Sequence, residues 1–461
     1  MNLRKFFAAA ALCMAVCASA QTPKYIFYYI GDGMGMGPVM AAETYNRTVL
    51  ENDTPLTMLQ FPVVSWCTTY SASHIITDSA AAGTALSTGH KTRNGMLGMD
   101  ADTTVVYSLA KDLREMGYGI GIATSVNPGD ATPGAFYAHV PHRKMYYDIF
   151  SQMAETDYQF FAGAGLAGTE DKDGKPTDLL QKFADNNMQI VRGPEGIKEI
   201  SSDKVLLLNT EGTPNWNIGY TIDSIPGVLS LPQITEACLA QLQRTSPDRF
   251  FMMIEGGNID HALHANDGGA AIKEVLNFDS ALAIAFDFYR QHPDETLIVV
   301  TADHDTGGMA IVHPKKPFGG LANIDFQRVS KESFSEYCKS LMKSRNVYTW
   351  DDMKEYLAEN LGFFTHIKVS AEQEEELKGL FEEAIKLRNT PDQETLYANF
   401  NAFAVGVFRL FNDAAGLAFT TTSHSGNPVP VFAVGAGAER FRSYNNNVNI
   451  PKAIMETVEN K

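Results

Sequence analysis

The stretch Thr77-Asp78-Ser79-Ala80-Ala81-Ala82-Gly83 places a serine hydroxyl where it can do chemistry. An extended Ile75-Ile76 pair gives way there to small, helix-compatible residues. Thr77 or Asp78 would cap that helix, and Ser79 falls in its first turn. Unpaired backbone N–H groups at a helix start favour an anion, and Ala and Gly neighbours leave the hydroxyl uncrowded. An ordinary capped helix packed on a sheet has the same pattern, so the rest of the chain must decide. Asp32, Glu255, Asp260, His264, Asp303, His304 and His424 also fall near the ends of strand-like runs. Chance scatters carboxylates and imidazoles over loops and rarely collects so many at one edge. Carboxylate oxygens with imidazole nitrogens, and no cysteine, suit Zn²⁺ in the company of Mg²⁺. Asp260 and His264, at i and i+4, share one helical face.

These residues need strands to bring them together. Tyr25–Ile30 is a near-continuous β-favouring apolar run, expected as a buried parallel strand. Gly31-Asp32-Gly33-Met34-Gly35 follows, and Pro38 opens a helix, so Asp32 sits just past the strand's carboxyl end, where open α/β sheets bind ligands. Further strands are expected at Phe61–Tyr70, Gly117–Ser125, Phe160–Ala162, Val205–Leu208, Phe250–Ile254, Thr296–Ala302 and Val429–Val434. Helices are expected between them at Ser108–Met116, Leu179–Asn186, Ile234–Leu242 and Gly268–Gln291. Asp130-Ala131-Thr132-Pro133 reads as a helix start with proline just inside, and one helix can carry Thr132 and Arg143 at its two ends. This alternation predicts an α/β fold: a doubly wound, mostly parallel central sheet with helices on both faces. Residues 313–420 differ, being richer in Lys and Glu, with helical patterns at Trp350–Asn360, Ala371–Leu387 and Leu396–Phe411. They read as an inserted helical cap subdomain, leaving 21–312 plus 421–461 as the catalytic domain.

With 461 residues and 44% hydrophobic content the chain is globular. A net charge of −17 argues against nucleic acid or an anionic membrane as partner, so an anion site must be a local cationic hole made by metal or arginine. Residues 1–20 read as a signal peptide: Arg4 and Lys5, an apolar run from Phe6 to Val16 too short to span a bilayer, then Ala18-Ser19-Ala20. The mature protein is therefore expected to be exported, periplasmic or secreted. Neither a second spanning run nor a tail anchor is evident, so no membrane anchor is expected. Cys13 and Cys17 leave with the leader, and the odd remainder, Cys67, Cys238 and Cys338, reads mostly as buried thiols.

Taken in order, Gly31-Asp32-Gly33-Met34-Gly35, Thr77-Asp78-Ser79-Ala80-Ala81, Asp130-Ala131-Thr132-Pro133, Glu255-Gly256-Gly257-Asn258-Ile259-Asp260, Thr301-Ala302-Asp303-His304 and His424-Ser425-Gly426 closely resemble the alkaline phosphatases. The resemblance runs from Tyr25 to about Gly435, apart from 313–420. It implies hydrolysis of phosphate monoesters with inorganic phosphate as product, at a site of two Zn²⁺ and one Mg²⁺, with an alkaline pH optimum. It implies that Ser79 is the nucleophile and becomes a phosphoserine. Asp260, His264 and His424 would hold one zinc, and Asp32, Asp303 and His304 the second, with Ser79 Oγ beside it. Asp32, Thr132 and Glu255 would hold the magnesium, and Arg143 would clamp two phosphate oxygens. Asp78 is read as orienting Arg143. Asp130 and His261 complete the substrate-binding set. Relatives carry Asp with Lys, or His with His, at this pair, so the mixture leaves open both the third metal and how His261 meets phosphate. Relatives are typically dimers, which implies a homodimer.

Three other functions compete with this reading, two within the fold class and one outside it. Sulfatases need Cys or Ser in a Cys/Ser-x-Pro-x-Arg context, which Ser79-Ala80-Ala81-Ala82-Gly83 lacks. Phosphodiesterases of the superfamily often use threonine and lack the clamping arginine, so Ser79 with Arg143 favours monoesters. A non-catalytic metal- or phosphate-binding protein has no need of a serine between metal sites.

Overall fold

The structure is a computed structural model, which describes residues 22–312, 320–344, 347–388, 392–443 and 445–459. The expected leader, with Cys13 and Cys17, lies outside the described residues, as does the beginning of the 313–420 segment. Among the described residues no helix is long and apolar enough to cross a membrane. Cys67, Cys238 and Cys338 are buried free thiols.

The fold is built on a ten-stranded sheet. Its strands in chain order are β1 (Tyr25–Gly31), β2 (Val63–Thr68), β3 (Gly119–Thr124), β4 (Phe160–Gly163), β5 (Met188–Arg192), β6 (Lys204–Leu208), β7 (Phe250–Glu255), β8 (Thr296–Ala302), β9 (Val429–Gly435) and β10 (Asn445–Asn446). The spatial order is β10-β2-β9-β8-β1-β7-β3-β4-β6-β5. All neighbours run parallel except β9, which is antiparallel to β2 and β8. This is the expected α/β architecture. The central strands are apolar along their whole length because helices cover both faces: β3, β7 and β8 are buried at every position. The β5 strand, the helix Tyr146–Glu155 and the C-terminal helix Asn449–Val458 add to the predicted elements.

Register brings the functional edge into line. Ile30 of β1 pairs with Glu255 of β7, and Gly31 pairs with Ala302 of β8. Asp32, Glu255 and Asp303 therefore leave three adjacent strands at the same level. Three helices complete the edge: α1 (Ser79–Thr88), α2 (Gly257–His264) and α3 (Gly268–Gln291). Asp78 is the residue that caps α1, its side chain accepting from the Ala81 N–H.

Beyond β8 the chain leaves at Ala310–Ile311 and returns at Leu417–Ala418, and these two short strands pair antiparallel. Between them lie α4 (Lys331–Lys343), α5 (Trp350–Leu361), α6 (Ala371–Phe381) and α7 (Ala402–Ala415). They pack about their own apolar cluster, which includes Phe334, Leu357, Phe381, Phe403 and Phe411. The expected helix Leu396–Phe411 begins later than its pattern suggested. Residues Asp392–Glu394 and Asn399–Asn401 form an antiparallel hairpin instead. The Thr395 hydroxyl closes its turn, donating to the Ala398 carbonyl and accepting from the Ala398 N–H. The Asn401 side chain then caps α7 by accepting from the Ala404 N–H, so local side-chain bonding outcompetes an earlier helix start. The Ala371–Leu387 pattern likewise stops being α-helical at Phe381 and continues as a π turn over Glu382–Lys386.

Candidate active site

Ser79 is fully buried, at the first position of α1. Its Oγ lies 3.2 Å from His304 Nε2. The strand-end carboxylates converge on the same place. His304 Nε2 is 3.2 Å from Asp303 Oδ2 and 3.5 Å from Asp32 Oδ1. The structure thus gathers Asp32, Asp303, His304 and Ser79 into one cluster. A second cluster adjoins it. His264 Nε2 lies 3.4 Å from Asp260 Oδ2 and 3.1 Å from His424 Nε2, and His424 Nε2 is 3.9 Å from Asp260 Oδ1. The His304 and His424 rings stack with centroids 3.6 Å apart, which joins the two clusters.

Tautomers follow from the second partner of each ring. His264 Nδ1 donates to the Thr422 carbonyl at 2.7 Å, and His424 Nδ1 to the Thr77 carbonyl at 2.8 Å. The Thr306 hydroxyl donates to Asp260 Oδ1, so its oxygen accepts from His304 Nδ1. With Nδ1 so engaged, each ring in its neutral form presents a bare Nε2 lone pair inward; at His264 burial works against the protonated ring but Asp260 outweighs it and raises the pKa, so there a proton occupies the place a metal cation would take. Two such lone pairs 3.1 Å apart repel unless a proton or a metal cation lies between them. The carboxylates tell the same story. Asp32 Oδ1, Asp260 Oδ2 and Asp303 Oδ2 are buried without a hydrogen-bond partner. Buried polar atoms left unpaired are costly, and here they point where the imidazole nitrogens point. The residues fit divalent cations in both clusters.

Electrostatics agree. Burial, reinforced by Asp303 and Asp260, pushes Asp32 well above the carboxylate range. Burial pushes Glu255 up to about 8 against a hydrogen bond from Thr124, and Asp303 up to about 7 with Asp260 adding to it. Burial also works to raise Asp260, but His264, His424 and His304 outweigh it and hold it well below. So many carboxylates in one dry place ionise together only beside positive charge.

Thr132 lies on the one-turn helix Ala131–Gly134, and its buried Oγ1 is also unpartnered. With Asp32 and Glu255 it offers oxygen donors alone, the set a hard cation prefers. Asp130 caps that turn and accepts a 2.8 Å hydrogen bond from Arg143 Nη2. Arg143 Nη1 lies 3.6 Å from Asp78 Oδ2, so the guanidinium is anchored one residue from Ser79. Asp78 is itself fixed, accepting from Ala81 N–H and Gly95 N–H. The single helix that was to carry Thr132 and Arg143 is not formed. It ends at Gly134, Val140 bridges to Leu97, and Pro141 lacks the N–H a continuing helix needs. Arg143 sits instead on the turn that follows, its N–H donating to the Gly95 carbonyl at 2.7 Å.

Two features of the glycine-rich first loop hold the clusters in register. Gly33 adopts φ +68°, and a Cβ there would meet Asp260 Oδ1 at 2.7 Å and Thr306 Oγ1 at 2.8 Å. Only glycine tolerates both demands. Its N–H donates to Asp303 Oδ1, which leaves Oδ2 for the cluster.

His261, buried on α2, packs its ring tilted against Tyr397 with centroids 3.8 Å apart. Burial pushes its pKa down to about 4, with Asp260 opposing, so it is neutral near pH 7. Tyr397, Thr306 and Thr124 were missed in the sequence. The two threonines follow or end predicted strands and were legible by the same edge argument. Tyr397 carried no such signal.

An open α/β sheet whose carboxyl edge holds a buried serine among cation-seeking carboxylates and imidazoles, with an arginine close by, defines a metal-dependent phosphoester hydrolase. The sequence profile of the alkaline phosphatase family matches residues 23–460. The chain belongs to that family. Alkaline phosphatase 4 of Bacillus subtilis is 27% identical over 445 residues, covering 94% of this chain and 88% of its own. Alkaline phosphatase 3 of the same organism is 28% identical, covering 95% and 89%. The crystal structure of a cold-active alkaline phosphatase from a psychrophilic Shewanella species superposes with TM-score 0.77 at 25% identity, covering 94% and 99%. That of Thermus thermophilus gives 0.78 at 24% and supports the fold.

Proposed function

We propose that this metal-dependent phosphomonoesterase works through a phosphoserine at Ser79. The observation that carries the reading is the 3.2 Å approach of Ser79 Oγ to His304 Nε2, inside a buried set of unpartnered carboxylate oxygens. Asp260, His264 and His424 would hold one zinc. Asp32, Asp303 and His304, with Ser79 Oγ, would hold the second. Asp32, Thr132 and Glu255 would hold a magnesium. When bound, such ions lower the pKa of ligated oxygens and neutralise charge on the attacking and leaving oxygens of an in-line displacement. The chain does the rest. Asp32, Asp303 and His304 keep Ser79 in a dry place where its oxygen attacks phosphorus as the ester P–O bond breaks; the serine proton is released and the departing alkoxide takes one up, leaving as the alcohol. Arg143 grips two phosphate oxygens bidentately, oriented by Asp78 and Asp130. His261 offers a neutral imidazole beside them. Water then cleaves the phosphoserine, releasing inorganic phosphate, and two in-line steps retain configuration at phosphorus.

The leader pattern of residues 1–20 supports export to the periplasm or beyond. The neck at Ala310–Ile311 and Leu417–Ala418, with the separate apolar cluster beyond it, supports an inserted helical subdomain over 313–420. A homodimer is proposed from the family resemblance alone. Elemental analysis of the purified protein, alongside a p-nitrophenyl phosphate assay, tests the core of this reading. Expected are zinc in excess of magnesium and turnover of the monoester. A protein with neither metal nor turnover after zinc and magnesium loading would refute it.

Arg143→Ala should raise KM for monoesters and weaken phosphate inhibition by about tenfold or more, since hydrogen bonds between charged groups are worth roughly 1.5–3 kcal/mol. The ratio of bis(p-nitrophenyl) phosphate to p-nitrophenyl phosphate hydrolysis should rise, because a diester has less charge to lose. An unchanged ratio would argue against the clamp.

A further inference from the structure

Tyr397 is an aromatic that the segment 313–420 brings against the histidines of the catalytic edge. It sits at the tip of the hairpin formed by Asp392–Glu394 and Asn399–Asn401. Its ring lies tilted against His261 and meets His264 edge-on, with centroids 3.8 and 5.4 Å away. Its hydroxyl is buried and has no hydrogen-bond partner among the described residues. Buried tyrosine hydroxyls nearly always find one. The charges that act on this hydroxyl are those of the site: Asp260, Arg143, Asp130 and Asp32.

The hairpin is held to the site from below. Lys331, buried at the start of α4, donates from Nζ to the Ala265 carbonyl at 2.8 Å and to Gln393 Oε1 at 3.2 Å. It also lies 4.5 Å over the Phe400 ring. Gln393 and Phe400 are a cross-strand pair of the hairpin, and Ala265 follows His264. Asp267 adds two anchors, accepting from Lys331 N–H and from Gln327 Nε2. The hairpin tip is thus tied to the helix carrying Asp260, His261 and His264.

We propose that Tyr397 completes the substrate pocket by donating its hydroxyl to a non-bridging oxygen of the phosphoryl group held by Arg143. This rests on the proposed phosphatase reading and deepens it. It gives the inserted segment a direct part in binding the anion. The aromatic ring and His261 together wall that side of the pocket, and the hydroxyl's missing acceptor is the phosphate itself. Because the same contact exists in the bound ester and in product phosphate, its removal weakens binding more than chemistry.

The test uses the zinc- and magnesium-loaded enzyme with Tyr397→Phe. Calorimetric titration with inorganic phosphate should show affinity falling about tenfold. KM for p-nitrophenyl phosphate should rise in parallel, with kcat within about twofold and metal content and Tm unchanged. Tyr397→Phe binding phosphate as wild type does would overturn the proposal. So would a raised KM with unaltered phosphate affinity, since the hydroxyl would then serve the leaving group. Tyr397→Leu checks the ring: phosphate affinity no worse than in the Phe variant keeps the effect on the hydroxyl, while loss only in the Leu variant overturns it. If wild-type enzyme neither binds phosphate nor hydrolyses the monoester, it is the phosphatase reading that fails.

Discussion

Ser79→Ala is expected to lose monoester turnover by about 10³-fold or more while keeping its fold and its metals. The serine is buried at the first helical position of α1, where alanine is equally at home, and only the contact of Oγ with His304 is removed. That contact is worth on the order of 1 kcal/mol to stability, against loss of the atom that would accept the phosphoryl group. The remaining proposed zinc ligands come from other elements: Asp32 after β1, Asp260 and His264 on α2, Asp303 and His304 after β8, and His424 before β9. Zinc content should therefore stay near that of wild type. Incubation with substrate followed by acid quench and mass analysis should show a phosphorylated peptide spanning Ser79 in the wild type and none in the variant. Turnover persisting in Ser79→Ala would place the nucleophile elsewhere. Loss of zinc together with activity would show that the serine matters mainly as a ligand.

The site was legible where chemistry sits at the end of an apolar run. Tyr25–Gly31, Phe250–Glu255 and Thr296–Ala302 announce themselves as strands because helices bury both their faces. Asp32, Glu255, Asp303 and His304 then follow from position alone. Asp260 and His264 follow from helical spacing. Arg143 shows the limit. Its proximity to Ser79 depends on the Leu97–Val140 bridge and on Asp78 and Asp130, contacts between segments far apart in sequence, and no helix delivers it. Tyr397 lies further out of reach. It belongs to a hairpin interrupting a helical region, where the pattern predicted continuous helix. What places it is a buried lysine gripping both hairpin strands. The carbonyls of Thr77 and Thr422, which fix two imidazoles, are backbone atoms and leave no trace in residue types.

Chelation should silence the enzyme, and it should also destabilise it in a way that grows with pH. A ligand bound only by the folded state at 1,000 times its dissociation constant contributes about 4 kcal/mol, so Tm should fall by several degrees when the ions are removed. The pH trend comes from the carboxylates. In the metal-free fold, burial first, with neighbouring carboxylates adding to it, holds Asp32 well above its ordinary value, Asp303 at about 7 and Glu255 at about 8. In the unfolded chain the same groups ionise near about 4. The folded metal-free protein keeps protons that the unfolded chain has released. Its stability from these groups is full below about pH 4 and is lost as pH rises toward about 8. Asp260, held low by its imidazoles, opposes the trend, but it is one group against three. Bound cations reverse the balance by favouring the ionised carboxylates. Thermal melts with and without EDTA at pH 5.5 and pH 8 should therefore show the larger Tm loss at pH 8, and zinc plus magnesium should restore both Tm and turnover. Equal losses at the two pH values would mean that these carboxylates do not face the ions. Turnover surviving complete chelation, verified by elemental analysis, would contradict the metal-dependent mechanism outright.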